Sequence, residues 1–225
     1  MRLLAIDTST EACSAALYLD GTVTVRYRLA PREHSRLILP MCEELLGEAG
    51  LSLSALDGLA FGRGPGAFTG VRIAAGTIQG LGLASGLPVV AVSSLAALAQ
   101  GACRELGVTR VLAALDARMG EVYSGAFRLG PDRLVQAAGA ECVSPPDMVP
   151  LPEGEGWWGV GSGWAAHREA LAARLGDRLA EVEPERYPSA EDVAVLGVEG
   201  LRQGRGVSAE HALPVYLRDR VVGKA

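Results

Sequence analysis

Lysine is nearly absent from this chain, and no strong excess of positive charge replaces it. Of the 21 basic residues only Lys224 is a lysine, and 26 acidic residues give a formal net charge of −5. Strong nonspecific binding to nucleic acid needs a basic surface, so the composition argues against it and leaves only a local arginine patch. Apolar residues make up 49% of the 225 positions, which is typical of a folded protein with one large domain or two small ones.

Cysteine is also scarce, and its spacing excludes the common metal and redox motifs. Cys13, Cys42, Cys103 and Cys142 form no CxxC pair, and no histidine follows them at zinc-finger spacing. The chain is neither small nor rich in cysteine, so reduced, buried thiols are favoured over disulfides. The pattern predicts a cytoplasmic protein.

Long hydrophobic runs are missing as well. The most apolar stretch, residues 81–98, is interrupted by glycine, serine and proline, so we expect no membrane-spanning segment. After Arg2 only four apolar residues precede Asp7, too few for a secretory signal. We therefore expect no association with a membrane.

The first part of the chain predicts a βββαβα lobe. An apolar strand ends at Asp7, and Asp20-Gly21 joins two further strand-like runs as a hairpin. Thr69 could cap a helix that follows a glycine-rich loop. The predicted elements are strands at 3–6, 13–19, 22–29, 59–61 and 88–92, and helices at 33–49 (with Pro40 as a kink or first-turn residue), 69–84 and 95–106.

The second part repeats this order. The runs that end at Asp7 and Asp116 lie 109 residues apart, and each half later carries a G-x-G-x-G loop. The predicted elements are strands at 111–115, 121–128, 134–143 and 157–160, helices at 165–175 and from a Ser189 cap to 203, and a closing segment at 213–217. We predict two lobes, 1–106 and 107–225, with the last helix able to pack back on the first lobe.

Two such lobes, each with a strand-end aspartate and a glycine-rich turn, resemble the actin, hexokinase and Hsp70 superfamily of duplicated RNase H-like α/β folds. That resemblance implies a nucleotide between the lobes. Glycines at a strand-to-helix turn let backbone N–H groups approach an anion, and a strand-end aspartate can hold a hydrated cation. The candidate nucleotide or phosphate-loop residues are Asp7, Thr8, Ser9, Gly64, Gly66 and Asp116. The alternative is that both aspartates accept Asx-type hydrogen bonds within turns.

Four segments carry a closer resemblance, to the TsaB family. They are LAIDTST (4–10), GPGAFTGVR (64–72), DARMGEVY (116–123) and PVYLR (214–218), in order along almost the whole chain. The resemblance implies a cytoplasmic, non-catalytic relative of TsaD, the subunit that transfers threonylcarbamoyl to the tRNA adenosine beside the anticodon. It also implies a heterodimer with TsaD, cooperation with the ATPase TsaE, contact with tRNA through the complex, and a homodimer when the chain is alone.

The pair of metal-binding histidines expected in TsaD-like relatives is missing from this sequence. Ser94 and Leu98 stand where the two imidazoles would be, and leucine cannot ligate a metal. The remaining histidines are isolated in sequence: His34, His167 and His211. We therefore predict no metal, no cofactor and no catalytic residue in the isolated chain.

Two helices of the first half are predicted to form a partner surface. Gly76 and Gly80 lie four apart on one helical face, where small side chains permit close approach of another helix. The resemblance implies that this face binds TsaD or a second copy, and the alternative is packing against the chain's own sheet. The predicted interface residues are Leu37, Met41, Leu45, Arg72, Ile73 and Gly76. Arginines beside the signature segments could contact a phosphate or a partner carboxylate, and the favoured alternative is that they are simply solvated: Arg63, Arg72 and Arg118.

Two other functions fit parts of the sequence. An ATP-dependent small-molecule kinase of the same superfamily is favoured by the G-x-G-x-G loops and opposed by the short length of the chain. A glycoprotease-like peptidase lacks both a histidine pair and an activated nucleophile.

Overall fold

Two β-sheets with the same strand order form the framework of the protein, which is described for residues 1–218 by a computed structural model. In the first sheet the order is β3-β2-β1-β4-β5, and in the second it is β11-β10-β6-β7-β8, with β9 also paired to β7. The strands are β1 (Arg2–Asp7), β2 (Ala12–Leu19), β3 (Thr22–Leu29), β4 (Gly58–Gly62), β5 (Val89–Val92), β6 (Arg110–Arg118), β7 (Glu121–Leu129), β8 (Val135–Ala137), β9 (Cys142–Ser144), β10 (Trp157–Val160) and β11 (Leu179–Glu183).

The pairing within the sheets repeats as well. β1 and β2, and β2 and β3, are antiparallel, whereas β4 runs parallel to β1 and β5 runs parallel to β4. In the second sheet β6 pairs antiparallel with β7 and parallel with β10, and β10 pairs parallel with β11. The chain therefore has the duplicated RNase H-like α/β fold that the sequence predicts.

In the described part of the chain, five α-helices cover the sheets. They are α1 (His34–Glu48), α2 (Phe68–Ser85), α3 (Ser94–Leu106), α4 (Ser162–Leu175) and α5 (Ala190–Arg202). α1 and α2 pack on one face of the first sheet through a cluster that includes Ile38 and Ile78. α4 packs on the second sheet around Trp157 and Trp164.

The final helix of each half contacts the sheet of the other half. Val193, Ala194 and Val198 of α5 share a buried cluster with Leu3 and Ala5 of β1, on the opposite face from α1 and α2. Leu95 and Leu98 of α3 are buried with residues of β6, in the second sheet. The cores of the two halves are thus interlocked by these two helices, while the division at residue 106 stays a prediction about the sequence repeat.

Several predicted boundaries need correction. Thr69 is the second residue of α2 and does not cap it, because the helix begins at Phe68 after Ala67, with no side-chain cap. The predicted strand 134–143 is two short strands, β8 and β9. Pro40 lies inside α1, which continues past it. Residues 213–218 carry no regular secondary structure.

The structure supports other local predictions directly. Asp20 and Gly21 both have positive φ at the hairpin between β2 and β3. The Ser189 hydroxyl accepts a hydrogen bond from the Glu191 N–H at the start of α5. All four cysteines are free; three are buried and Cys142 is half-buried. Within residues 1–218 no helix is long and apolar enough to cross a membrane.

Candidate functional site

Asp7 ends β1 and is completely buried. Its Oδ1 accepts hydrogen bonds from the Ser9 N–H at 2.9 Å and from the Ser9 Oγ at 2.8 Å, which is the Asx-type turn that the sequence left open. Burial raises the pKa of Asp7 to about 6, although the Ser9 hydrogen bonds, the charge of His34 and the nearby Ser94 hydroxyl oppose that rise. The Asp7 Oδ2 has no hydrogen-bond partner among the described residues.

Of the two positions where the metal-binding histidines would be, Ser94 lies close to Asp7 and Leu98 lies in the core. Ser94, the first residue of α3, is fully buried, and its Oγ also lacks a hydrogen-bond partner within residues 1–218. A Cβ on Gly62 would overlap the Asp7 Oδ2 and lie 3.4 Å from the Ser94 Oγ, so the absence of a side chain here leaves room for the carboxylate. Leu98 is buried beneath the second sheet.

The first glycine-rich loop packs backbone against backbone on the Thr8-Ser9 turn. The Ala67 N–H donates to the Ser9 carbonyl at 2.7 Å, and the Thr8 Oγ1 donates to the Gly70 carbonyl at 2.7 Å. A Cβ on Gly66 would overlap the Ser9 carbonyl oxygen, and one on Gly70 would overlap that of Thr8. The structure thus gives Thr8, Ser9 and Gly66 a packing role, and their phosphate-binding role stays a prediction.

Asp116 occupies the matching position in the second half, near the end of β6. Its Oδ1 accepts from the Arg118 N–H at 2.8 Å, and its Oδ2 accepts from the Arg118 Nη1 at 2.7 Å. The His167 Nε2 lies 3.9 Å from the Asp116 Oδ1. The backbone of His167 has non-helical φ and ψ and so interrupts α4. Asp116, like Asp7, is therefore held by hydrogen bonds from the residue two positions further along the chain.

Arg118 connects the two halves. Its Nη2 lies 3.6 Å from the Glu11 Oε1, on the turn that follows β1, while Nη1 is bound to Asp116. Arg118, Met119 and Gly120 have positive φ in succession, so the β6–β7 turn is held in a conformation that most residues avoid. Sequence reasoning named Arg118 but missed Glu11 as its partner across the halves.

The second glycine-rich loop is also closed by packing. The Gly161 N–H donates to the Glu183 carbonyl at 3.1 Å, and Gly161 has a φ of +106° where it passes the Ala114 carbonyl. The indole of Trp164 covers Gly159 and donates from its Nε1 to the Leu112 carbonyl at 3.1 Å. Each loop thus lies tightly against neighbouring strands of its sheet: the turn after β1 in the first half, and β6 and β11 in the second.

The partner face that the sequence predicted is only partly exposed. Leu37, Met41 and Leu45 are buried against the first sheet, with relative exposures of 8%, 6% and 1%, so they are core residues and their assignment to a partner surface is corrected here. Arg72 and Gly76 are exposed and Ile73 is half-buried. A Cβ on Gly76 or on Gly80 would have no neighbour within 4 Å.

Arg72 is held by aromatic residues that sequence reasoning missed. Its guanidinium carbon lies 3.4 Å from the centre of the Phe68 ring, and its Nε donates to the Tyr216 hydroxyl at 2.9 Å. Phe68 and Tyr216 both belong to signature segments, and that shared membership is the signal that could have linked them. Arg63 pairs with Glu141 at 3.4 Å between Nη2 and Oε2.

A cavity of about 430 Å³ lies among β3, α3 and the start of α5. Its deepest ion pair joins Arg104 to Asp192, with Nε 3.1 Å from Oδ1 and Nη2 3.1 Å from Oδ2. Burial raises the pKa of Asp192 to about 6, although the hydrogen bonds from Arg104 lower it. Among residues 1–218 no group of three or more histidine, cysteine or acidic side chains could hold a metal ion.

The repeated strand order, with an aspartate at the same end of each sheet, defines a two-lobed protein of the actin, hexokinase and Hsp70 superfamily. A family model described as TsaD, tRNA N6-adenosine threonylcarbamoyltransferase, matches residues 25–225.

Relatives named TsaB match over the full length of this chain. The chain is 46% identical to the Escherichia coli tRNA threonylcarbamoyladenosine biosynthesis protein TsaB, over 100% of this chain and 97% of that protein. It is 39% identical to the Haemophilus influenzae protein of the same name, over 100% of this chain and 96% of that protein. The solved structure of YeaZ from Pseudomonas aeruginosa superimposes with a TM-score of 0.90 at 50% identity, covering 96% of this chain and 99% of that one. The chain belongs to the TsaB family.

Proposed function

We propose that this chain acts in the biosynthesis of threonylcarbamoyladenosine in tRNA as a non-catalytic subunit that binds a TsaD protein. The pathway is the one that the names of its full-length relatives carry. The observation that supports the binding role is the open glycine face of α2. TsaD would carry out the transfer, in the cytoplasm, together with the ATPase TsaE, and tRNA would be bound through the complex.

Two of the glycines of α2, Gly76 and Gly80, lower the stability of the helix without relieving any close contact in the described part of the fold. Glycine costs about 1 kcal/mol relative to alanine in a helix interior. At Gly76 and Gly80 a Cβ would meet nothing of residues 1–218 within 4 Å, so no contact in that part of the chain requires the absence of a side chain there. Another helix could approach such a face closely, because no side chain separates the two backbones. Leu83, with 70% exposure, extends the face with apolar surface.

The positions of the missing ligand pair and of the candidate nucleotide loops are occupied by packing contacts. Ser94 and Leu98 replace the expected ligand pair, and Leu98 lies in the core. The Thr8-Ser9 turn packs directly against the first glycine-rich loop, and Arg118 joins Asp116 to Glu11. These contacts favour a supporting role over the kinase alternative, which would need the loops to receive a nucleotide.

The replacement Gly76→Leu tests the binding role. It places a bulky side chain on the open face without touching the core, so we expect affinity for TsaD from the same organism to fall at least tenfold by isothermal titration. The matched control is Ala170→Leu, an exposed small-to-large change on α4, which is expected to leave affinity unchanged. A folded Gly76→Leu protein with wild-type affinity would refute the assignment of the face. Dilution of the wild-type chain and of Gly76→Leu in the calorimeter, without TsaD, reports whether the face supports a homodimer.

The non-catalytic role needs a separate assay. Threonylcarbamoyl transfer to tRNA is measured with each subunit omitted in turn, and this chain alone is expected to give no product. Turnover by the isolated chain would overturn the proposal, and micromolar binding of ATP with Mg²⁺ to it would favour the kinase alternative.

A further inference from the structure

Residues 212–218, called here the C-terminal clamp, follow α5 and touch both halves of the protein. Upstream of the clamp, Val207 pairs with Val89 at the edge of the first sheet. Ala212 is buried, and its carbonyl accepts a hydrogen bond from the Gln79 Nε2 of α2 at 3.2 Å. The clamp therefore begins from a fixed position on the first half.

The middle of the clamp covers the first glycine-rich loop. The Val215 N–H donates to the Arg63 carbonyl at 2.8 Å. The Val215 carbonyl oxygen would lie only 3.1 Å from a Cβ on Gly64, a residue with a φ of +95°. The Tyr216 hydroxyl accepts from the Arg72 Nε at 2.9 Å. The backbone of the clamp thus lies directly against Gly64.

The last described residue of the clamp reaches the second half. The Arg218 guanidinium forms an ion pair with Glu121 at the start of β7, and its Nη2 lies 3.4 Å from the Arg118 carbonyl. Its Nη1 lies 3.8 Å from the Met119 sulfur. Only 17% of the Arg218 side chain is exposed. The contacted turn is the one with three successive positive φ values.

We propose that the C-terminal clamp ties the first glycine-rich loop to the β6–β7 turn and so holds the two halves at a fixed angle. Two anchors make this possible: Val215 on the loop and Arg218 on the turn. A segment fixed at both ends resists a hinge motion that would separate them. The same segment also covers Gly64 of the loop. This inference concerns the isolated chain and does not depend on the binding of TsaD.

Hydrogen exchange of the full-length chain tests the clamp. We expect Arg218→Ala to accelerate amide exchange at least fivefold both at residues 118–121 and at residues 63–67, because loss of one anchor frees the segment from both. The control is Arg205→Ala, an exposed arginine between α5 and the clamp whose side chain makes no hydrogen bond or ion pair within residues 1–218. It is expected to change neither region.

A second variant separates the clamp from a local contact. Tyr216→Phe retains the ring against Phe68 and removes only the hydroxyl that accepts from Arg72, so it is expected to accelerate exchange at residues 63–67 more than at 118–121. The proposal is overturned if Arg218→Ala accelerates exchange at one of the two regions alone, or at neither. Faster exchange confined to residues 213–218 counts against it in the same way.

Discussion

Alanine substitutions at two glycines of α2 should have opposite effects on stability. Gly70 lies against the Thr8 carbonyl, whereas Gly76 faces open space on the same helix. Alanine gains about 1 kcal/mol over glycine from helix propensity at Gly76, in the helix interior, and at most that amount at Gly70, in the first turn. Only at Gly70 does the added methyl group overlap backbone atoms that cannot rotate away.

The magnitude follows from these contacts. At Gly76 the gain is unopposed, so Gly76→Ala should stabilise the protein by about 1 kcal/mol. At Gly70 the β1–β2 turn or the start of α2 must move, which costs roughly 1–3 kcal/mol as in other overpacked sites. The hydrogen bond from the Thr8 Oγ1 to the Gly70 carbonyl, worth about 1 kcal/mol, is also disturbed. We therefore expect Gly70→Ala to destabilise the protein by about 1–3 kcal/mol.

Thermal and urea unfolding followed by circular dichroism measure both effects. For a chain of this size 1 kcal/mol moves Tm by about 2–4 °C, so Gly76→Ala should raise Tm by that amount and Gly70→Ala should lower it. The measurement is made at concentrations where Tm no longer depends on concentration, so that self-association does not contribute. A Gly70→Ala protein as stable as wild type would refute the close approach of α2 to the Thr8-Ser9 turn.

Two buried aspartates supply the remaining predictions. Because the native pKa of Asp7 is raised from 3.8 to about 6, the native state binds more protons than the unfolded state between those pH values, and stability falls as pH rises through that range. Asp7→Asn should reduce the dependence of stability on pH and should raise the free energy of unfolding at pH 7 by about 3 kcal/mol, since the amide oxygen can still accept from Ser9. The measurement is urea unfolding at pH values from 4 to 7, in which the exposed control Asp147→Asn should keep the pH dependence of the wild type. An unchanged pH dependence in Asp7→Asn would contradict the prediction. Arg104→Ala strands the buried Asp192 and should destabilise the protein by about 3 kcal/mol at pH 8 and by less at pH 5. The double variant with Asp192→Ala should recover part of that loss, and equal losses at both pH values would show that the effect is not the stranded charge.

The sequence was sufficient for the repeat and for local structure. Asp7 and Asp116 mark equivalent strand ends because each follows a buried apolar run, and such runs are specified by residues next to each other in the chain. The Asp20-Gly21 hairpin and the Ser189 cap are likewise local. Features of this kind depend on φ preferences and short-range hydrogen bonds, which the residue types themselves determine.

The candidate site was harder to predict, because its contacts join distant residues. An apolar stripe such as Leu37, Met41 and Leu45 shows that a helix face is covered, but not whether the cover is its own sheet or a partner. The pairing of Arg118 with Glu11 depends on how the two halves meet. The glycines of the first loop suggested anion binding, whereas the structure uses their small size for a close backbone approach.

The placement of tryptophan in the second half has a practical consequence for studying this protein. All three tryptophans, at positions 157, 158 and 164, belong to β10 and α4 beside the second sheet. Tryptophan fluorescence, excited at wavelengths that tyrosine does not absorb, therefore follows the environment of that half alone, while far-ultraviolet ellipticity follows both. The two signals can be compared along one denaturation curve without any added label. Coincident transitions would show that the halves unfold as a single cooperative unit, as expected if α3 and α5, each packed on the sheet of the other half, couple them.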